Sequence, residues 1–212
     1  MSLDLGSLGS DRGVRIEGTG SYDRLGASVS IVGDVNGDGI DDLLVGAPYV
    51  DGSSGYGYNQ GAAYVVFGQA EGFGEGIDLD ALDGTDGFRL TNTLSALPDR
   101  VGVSVAAAGD VNGDGIGDII IGAEGERDTY YGEVVPGAAW VVFGADSGFS
   151  PEVDLAALDG TDGFAIEGPA YTGFDYAFGA VVAGVGDLDG DGLDDVAVAM
   201  RARRAYDGDG YD

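Results

Sequence analysis

The chain has 212 residues, with 38 acidic side chains against nine basic ones and a formal net charge of −29. Such a surface repels nucleic acids and anionic membranes, so neither is expected to be a partner. Cysteine, histidine and lysine are absent, which excludes disulfides and catalysis by a thiol, an imidazole or a lysine amine. No stretch approaches the roughly 20 apolar residues of a membrane span, so no membrane insertion is expected.

The amino-terminal segment DLGSLGSDRGVRI, at 4–16, is a weak copy of a segment that returns twice. It recurs as DLDALDGTDGFRL at 78–90 and as DLAALDGTDGFAI at 154–166. We therefore interpret residues 1–18 as a stray outer-edge segment of a preceding repeat unit. The first ten residues lack the basic and apolar regions of a secretory signal, so we expect any export signal to have been removed or to lie upstream.

Short strands follow in an even order. GASVSIVGD at 26–34 leads into an acidic loop, DDLLVGAP at 41–48 leaves it, and GAAYVVFG at 61–68 comes next. The outer edge is supplied by IDLDAL at 77–82 or by GFRL at 87–90. Val, Ile, Leu, Tyr and Phe dominate these runs, which favours β-structure, and no capped helical pattern is present.

The whole pattern repeats along the chain. GAAYVVFG returns 76 residues later as GAAWVVFG, and the acidic loop at 34 returns at 110 and at 187. We predict one complete unit at 19–92, a second at 93–168 and a truncated third at 169–212. Four short antiparallel strands per unit are typical of a propeller blade, so the fold class is all-β and the chain an incomplete β-propeller. A β-sandwich with duplicated hairpins is the alternative, but it gives no reason for tandem units of nearly constant length.

The acidic loops, at 34–42, 110–118 and 187–195, crowd carboxylates together. Two carboxylates about 4 Å apart repel by about 4 kcal/mol at an effective dielectric constant near 20, so each loop needs a cation or much water. Calcium binds six to eight oxygens, which acyclic loops supply from alternate positions and one backbone carbonyl. The predicted ligands, from positions 1, 3, 5, 7 (carbonyl) and 9, are Asp34, Asn36, Asp38, Ile40 and Asp42; Asp110, Asn112, Asp114, Ile116 and Asp118; and Asp187, Asp189, Asp191, Leu193 and Asp195.

Three copies of the loop, each with glycine at position 6 where the chain must turn sharply, argue against a merely solvated turn. The helix–loop–helix type of calcium site is excluded, because its position 12 requires Glu and these positions hold Val45, Ile121 and Val198. Each loop should instead join two strands. We therefore predict three structural calcium sites.

The order of a Phe-Gly element, the acidic loop, Gly-Ala-Pro and an aromatic-rich strand resembles the FG-GAP repeat of integrin α-subunit β-propellers and their bacterial relatives. The Phe-Gly element stands as Leu25-Gly26, Val101-Gly102 and Phe178-Gly179, and the Gly-Ala-Pro element as Gly46-Ala47-Pro48, Gly122-Ala123-Glu124 and Ala199-Met200-Arg201. The resemblance implies a disc of about seven blades. The remaining blades would come from a longer chain or from self-association.

The functional expectation is a calcium-binding module that presents loops to an extracellular protein or glycan, at the cell surface or after secretion. Two variable segments at 49–60 and 124–136 carry Tyr49, Tyr56, Tyr58, Tyr130 and Tyr131. Exposed tyrosines favour protein or sugar contacts; alternatively, these rings pack against neighbouring blades.

The chain is not expected to be an enzyme, because it has no G-x-S-x-G motif and its paired carboxylates belong to the metal loops. The alternative function is that of a non-catalytic propeller domain in a larger secreted enzyme, of the polysaccharide-degrading or phospholipase-like kind, in which similar repeats also occur. The sequence of this chain does not separate the two functions.

Overall fold

The computed structural model describes residues 13–18, 20–52, 59–74, 76–93, 99–124, 136–169 and 176–202. Within these ranges the structure is β-strand with two short 3-10 helices, and none of the helices could span a membrane. The strands are β1 Ile16–Glu17, β2 Ser28–Gly33, β3 Asp42–Ala47, β4 Ala62–Val66, β5 Ile77–Asp78, β6 Gly87–Thr91, β7 Val101–Gly109, β8 Asp118–Ala123, β9 Ala138–Val142, β10 Glu152–Asp154, β11 Gly163–Glu167, β12 Tyr176–Gly186 and β13 Asp195–Ala202, and the 3-10 helices are Leu79–Ala81 and Leu155–Ala157.

Three sheets follow one another along the chain. Sheet one has the order β10-β6-β4-β3-β2, sheet two has the order β11-β9-β8-β7, and sheet three pairs β12 with β13. Neighbouring strands are antiparallel except for β10, which runs parallel to β6. The predicted all-β class and four-stranded antiparallel blades are confirmed, and the strands in the described ranges do not close into a ring.

The central strands are buried on both faces. All six residues of β8 are buried, since one face packs against sheet one and the other against sheet three. Ile119 and Ile121 belong to the cluster shared with sheet one, whereas Ile120 packs with Val182 of sheet three. This explains why a strand of an antiparallel sheet reads as an uninterrupted apolar run, as fully buried strands do.

The outer edge of each unit is completed by the next one. The segment GFRL forms β6, the outer strand bonded to β4, whereas IDLDAL forms β5 and the following 3-10 helix. Strand β5 pairs parallel with β1, as β10 pairs parallel with β6. Phe149, just before β10, stacks on Phe88 of β6 with ring centroids 4.2 Å apart. Hydrogen bonds and an aromatic stack therefore link successive units at their outer rim.

Asp154 fixes the end of β10 to sheet one. Its carboxylate caps the second 3-10 helix by accepting from the backbone N–H of Ala156, at 3.0 Å. It also accepts from the backbone N–H of Thr93, at 3.1 Å, and from the Thr93 hydroxyl. Burial opposes ionisation of Asp154, but the hydrogen bonds from Thr93 and Ala156 outweigh it and lower the pKa of this carboxyl.

Replacing Thr93 should reveal this link. Thr93→Val removes the hydroxyl donor and should lower the free energy of unfolding by about 1 kcal/mol at neutral pH, because hydrogen bonds to charged groups are worth somewhat more than neutral ones and this one is solvent-exposed. Since the folded-state pKa of Asp154 is depressed, the stabilisation is present above the unfolded pKa of about 3.9 and is lost as the pH falls below it. Denaturant unfolding of both proteins between neutral pH and about pH 3 measures the difference.

Thr85→Val is the matched control, because Thr85 makes the same kind of bond to Asp83 within a single turn. Amide exchange in β10 should rise in the Thr93 variant and stay unchanged in the Thr85 variant. A stability difference for Thr93→Val that does not shrink in acid would contradict the role given to Asp154.

Candidate metal centres

The three acidic loops join equivalent strands. The first loop connects β2 to β3, the second connects β7 to β8, and the third connects β12 to β13. The expectation that each loop joins two strands is therefore confirmed, and all three loops lie at the same end of their sheets.

The aspartate at position 1 closes each loop on its own backbone. In the first loop the N–H of Asp38 donates to Asp34 Oδ1 at 2.9 Å, and the N–H of Gly39 donates to Asp34 Oδ2 at 2.7 Å. Asp110 and Asp187 accept from the matching backbone groups of the second and third loops. Each position 1 carboxylate is thus oriented by two to three hydrogen bonds.

The glycines permit this closure. Gly39, at position 6 of the first loop, has φ of 87°, and the glycine at position 4, Gly37, has φ of 77°. Their equivalents in the other two loops lie in the same left-handed region, which a residue with a Cβ adopts only with strain. The sequence argument explained the glycine at position 6 and missed the one at position 4.

Side chains at positions 3 and 5 turn back over the loop. Asn36 Oδ1 accepts from the N–H of Asp38 at 3.0 Å, and Asp38 Oδ1 accepts from the N–H of Ile40 at 2.8 Å. The same pair of bonds recurs in the second and third loops. Positions 1, 3 and 5 of each loop therefore hold side-chain oxygens around one short stretch of backbone.

The aspartate at position 9 has a second role that the sequence did not predict. Asp42 is 1% exposed and accepts from the N–H of Val35, at 2.9 Å, and from the N–H of Gly68, at 2.8 Å. Asp118 is fully buried and makes the corresponding bonds to Val111 and Gly144, both at 2.8 Å. This carboxylate ties its loop to the segment that leaves the third strand of the same sheet.

Burial raises the pKa of Asp42, and hydrogen bonds from Gly68 and Val35 oppose that effect. The negative charges of Asp38 and Asp34 raise the pKa further. Burial likewise raises the pKa of Asp118, with a smaller contribution from Asp114. A bound cation would favour the ionised form of these carboxyls, because an opposite charge nearby offsets both burial and repulsion.

The third loop brings its acids closest together. One carboxylate oxygen from each of Asp187, Asp189 and Asp195 lies within 4.8 Å of the others. In the part of the chain that the structure describes, no other three acidic side chains meet this closely; the first two loops have Asn at position 3. Hard oxygen ligands of this kind suit calcium or magnesium rather than a soft metal.

A cavity of about 450 Å³ opens beside the second loop. Asn112 and Asp114 line one part of it, and Asp146 and Asp162 line another. The space is large enough for an ion with several water molecules, since one water occupies about 30 Å³ in the liquid.

The loops of neighbouring sheets are bonded to one another. The N–H of Gly117 in the second loop donates to the carbonyl of Asp34 in the first, at 3.2 Å, and the N–H of Asp194 in the third donates to the carbonyl of Asp110 in the second, at 3.0 Å. The three candidate centres therefore form one connected row.

Of the tyrosines in the two variable segments, Tyr49 is described, and Tyr56, Tyr58, Tyr130 and Tyr131 lie outside the described residues. The guanidinium carbons of Arg24 and Arg100 lie 4.2 and 5.3 Å from the centroid of the half-buried Tyr49 ring. For this tyrosine, the structure favours packing within the protein.

The fold and the three matching loops define a repeat protein built from β-propeller blades. A family model described as "FG-GAP repeat" matches residues 25–66 and 101–142. The chain contains FG-GAP repeats, as its motifs indicated, and it is similar to integrin α-chains over most of its length.

Curated relatives align along most of the chain. Integrin alpha-4 of Xenopus laevis is 30% identical over 84% of this chain and 14% of its own length. Integrin alpha pat-2 of Caenorhabditis elegans is 33% identical over 82% of the chain and 13% of its own length. Integrin alpha-6 of Gallus gallus is 34% identical over 86% of the chain and 14% of its own length. The chain thus spans only a small part of the relatives that it matches.

The dual role of position 9 generates a prediction for the metal-free protein. Asp42→Ala leaves the buried N–H groups of Val35 and Gly68 without their acceptor and should lower the free energy of unfolding by roughly 2–4 kcal/mol in a chelator. Asp38→Ala removes an exposed carboxylate and should lower the free energy of unfolding in the chelator by no more than about 0.5 kcal/mol. Denaturant unfolding in excess chelator measures both; equal losses would contradict the distinction between the two aspartates.

Proposed function

We propose that this chain is a calcium-binding FG-GAP propeller module that presents loops for binding an extracellular protein or glycan. The observation that carries the calcium proposal is the threefold repetition of one loop geometry, with side-chain oxygens at positions 1, 3 and 5 and a carboxylate at position 9 that accepts from the backbone of its own loop. Charge crowding in such a loop is relieved by a divalent cation.

Calcium fits this donor set better than other common metals. Each loop offers five protein oxygens, counting the carbonyl at position 7, and water would complete a shell of six to eight. Zinc prefers nitrogen and sulfur ligands, and the chain contains neither histidine nor cysteine. Magnesium demands a stricter octahedral arrangement and keeps more of its water. The proposed ligands are the fifteen residues given above for the three loops.

The extracellular role rests on the similarity to integrin α-subunits over more than four-fifths of the chain. We take the three sheets as two blades and part of a third, with the boundaries 19–92, 93–168 and 169–212, and residues 1–18 as the edge of a preceding blade. Further blades, from a longer chain or another copy, would complete the disc. The bound calcium would hold one end of the blades while loops at the other end contact the ligand.

Calcium stoichiometry is the direct test. A folded sample freed of metal should bind three calcium ions, with dissociation constants of about 10⁻⁴ to 10⁻³ M, the range of extracellular modules. Isothermal titration calorimetry measures both quantities. A stoichiometry of zero or one, or a preference for zinc, would contradict the proposal.

Melting experiments test one site separately. Calcium that binds only the native protein raises its stability by about 2.7 kcal/mol per independent site at a hundredfold excess over Kd, so the wild-type Tm should rise with calcium. Asp38→Ala should show a smaller rise and bind two ions. Asp80→Ala, which removes an exposed acid from the 3-10 helix at Leu79–Ala81, is the charge-matched control and should behave as wild type. Identical calcium series for wild type and Asp38→Ala would remove Asp38 from the ligand set.

The charge of the chain makes a further prediction about partners. With chelator present at physiological salt, the protein should not be retained on duplex DNA or on vesicles rich in anionic lipid, because its net charge is strongly negative and repels polyanions. Co-sedimentation and pull-down measure retention. Clear retention on either surface would contradict the assignment to protein or glycan ligands.

A further inference from the structure

Two of the acidic loops have an asparagine at position 3, and in both a glycine follows it. The chain has four asparagines, and the two that precede a glycine are these loop residues, Asn36 and Asn112. The other two, Asn59 and Asn92, precede a glutamine and a threonine. Glycine has no Cβ, so its backbone nitrogen approaches a neighbouring group closely. The two Asn-Gly pairs are therefore the places where a backbone nitrogen can best attack a side-chain amide.

The loop geometry holds this amide against the backbone that would attack it. Asn36 Oδ1 accepts from the N–H of Asp38 at 3.0 Å, so the side chain folds back across Gly37, the residue between them. Gly37 is exposed and has φ of 77°, and Asn36 is half-buried. The second loop repeats the bond between Asn112 Oδ1 and the N–H of Asp114, at 2.9 Å. A donor on this oxygen stabilises the negative charge that develops there when the amide carbon is attacked.

We propose that Asn36 and Asn112 are sites of spontaneous deamidation, and that calcium bound by their loops controls the rate. The backbone nitrogen of the following glycine, after losing its proton to hydroxide, forms a bond to the side-chain amide carbon. The bond from that carbon to Nδ2 breaks, and ammonia leaves with a proton taken from water. A second water molecule opens the resulting cyclic imide at either carbonyl and gives aspartate or isoaspartate. The net reaction adds water, releases ammonia and oxidises nothing.

The third loop shows that the fold accepts the aspartate product. Asp189 stands at position 3 there, and its Oδ1 accepts from the N–H of Asp191 at 3.1 Å, as Asn36 Oδ1 does in the first loop. One carboxylate oxygen of Asp189 also lies within 4.8 Å of one from each of Asp187 and Asp195. Deamidation would therefore give the first two loops the side chains of the third.

The modification changes the electrostatics of each loop. Asn36 Nδ2 donates to Asp38 Oδ2 at 3.0 Å, and Asn112 Nδ2 donates to Asp114 Oδ2 at 2.9 Å. After deamidation a carboxylate oxygen replaces the donor and repels the neighbouring carboxylate. The aspartate form should hold calcium more tightly, because ligand charge tunes calcium affinity, and it should be less stable without calcium. Isoaspartate lengthens the backbone by a carbon atom and should weaken calcium binding.

The control by calcium rests on the proposed function. A cation held by the oxygen at position 3 would fix the side chain and the loop, so that the ring closes only in the metal-free protein. The rate then falls with the metal-free fraction, by about tenfold at a calcium concentration about ten times Kd. The modification itself follows from the Asn-Gly pairs and does not depend on the ion.

Peptide mapping by mass spectrometry tests the proposal. The folded full chain is incubated at neutral pH in excess chelator, in water enriched in heavy oxygen, which labels each new carboxyl group. After transfer to ordinary water, trypsin cleaves at the arginines and separates Asn92 and Asn112 from the other two asparagines, and fragment ions distinguish Asn36 from Asn59. Asn36 and Asn112 should react at least about tenfold faster than Asn59 and Asn92, a barrier difference of about 1.4 kcal/mol.

Variants separate the chemistry from its effect on the loops. Asn36→Gln keeps the amide but requires a larger ring, so position 36 should stay unmodified while Asn112 continues to react. The double variant Asn36→Asp/Asn112→Asp represents the aspartate product. It should bind two of the three calcium ions at least about threefold more tightly than fresh wild type, because each of those loops gains a charged ligand. Isothermal titration calorimetry measures the affinities, and circular dichroism shows that each variant is folded.

The calcium series separates the two proposals. Slowing at Asn36 and Asn112 alone, with Asn59 and Asn92 unaffected, supports both the modification and calcium in the loops. Equal rates with and without calcium, still faster than those of Asn59 and Asn92, support the modification and contradict the calcium sites. Amide loss at Asn36 and Asn112 that is no faster than at Asn59 and Asn92 in the chelator overturns the deamidation proposal, whatever the loops bind.

Discussion

A buried carboxylate at the ninth position of the first and second acidic loops, Asp42 and Asp118, is the contact on which the rest of sheets one and two depends. In sheet one Asp42 accepts from Val35 inside its loop and from Gly68 beyond β4, so one side chain holds the first, second and third strands in register at their shared end. Burial and the negative charges of Asp38 and Asp34 disfavour the ionised form of the same carboxyl and raise its pKa. The Asp42 carboxylate therefore closes the loop and also takes part in the charge repulsion, and a cation bound at the loop would relieve the repulsion without breaking the hydrogen bonds.

This arrangement extends from one blade to the next. Gly117 bonds to the carbonyl of Asp34 and Asp194 bonds to that of Asp110, while the apolar faces of neighbouring sheets pack between these contacts and the outer rim. At the rim, β10 pairs with β6 and β1 with β5. Because each unit contacts its neighbour at both the loop end and the rim, an insertion or deletion between these two contacts would displace one of them. This is a physical reason for a repeat of nearly constant length.

The repeated features were predictable from the sequence because each is encoded within one unit. The strands, the loops between them and the turn at Gly39 all follow from local patterns of apolar, acidic and glycine residues. The remaining features need contacts between units. IDLDAL forms β5 and pairs with the preceding unit through β1, and Asp42 combines a ligand-like position with a buried structural role; neither is visible in a local pattern.

At the end of the sheets opposite the acidic loops, two residues that differ from the first unit contact each other. Glu124 and Arg201 both stand where the first unit has Pro48. Glu124 is 6% exposed, and it accepts from Arg100 at 2.8 Å and from Arg201 at 3.1 Å. A buried carboxylate of this kind is costly unless it is paired. Arg100 of the same unit is the more buried partner, and the exposed Arg201 adds a contact from the third unit. The loop end, held in one geometry by Asp42 and its equivalents, repeats closely, whereas at the far end the charged side chains differ from one unit to the next.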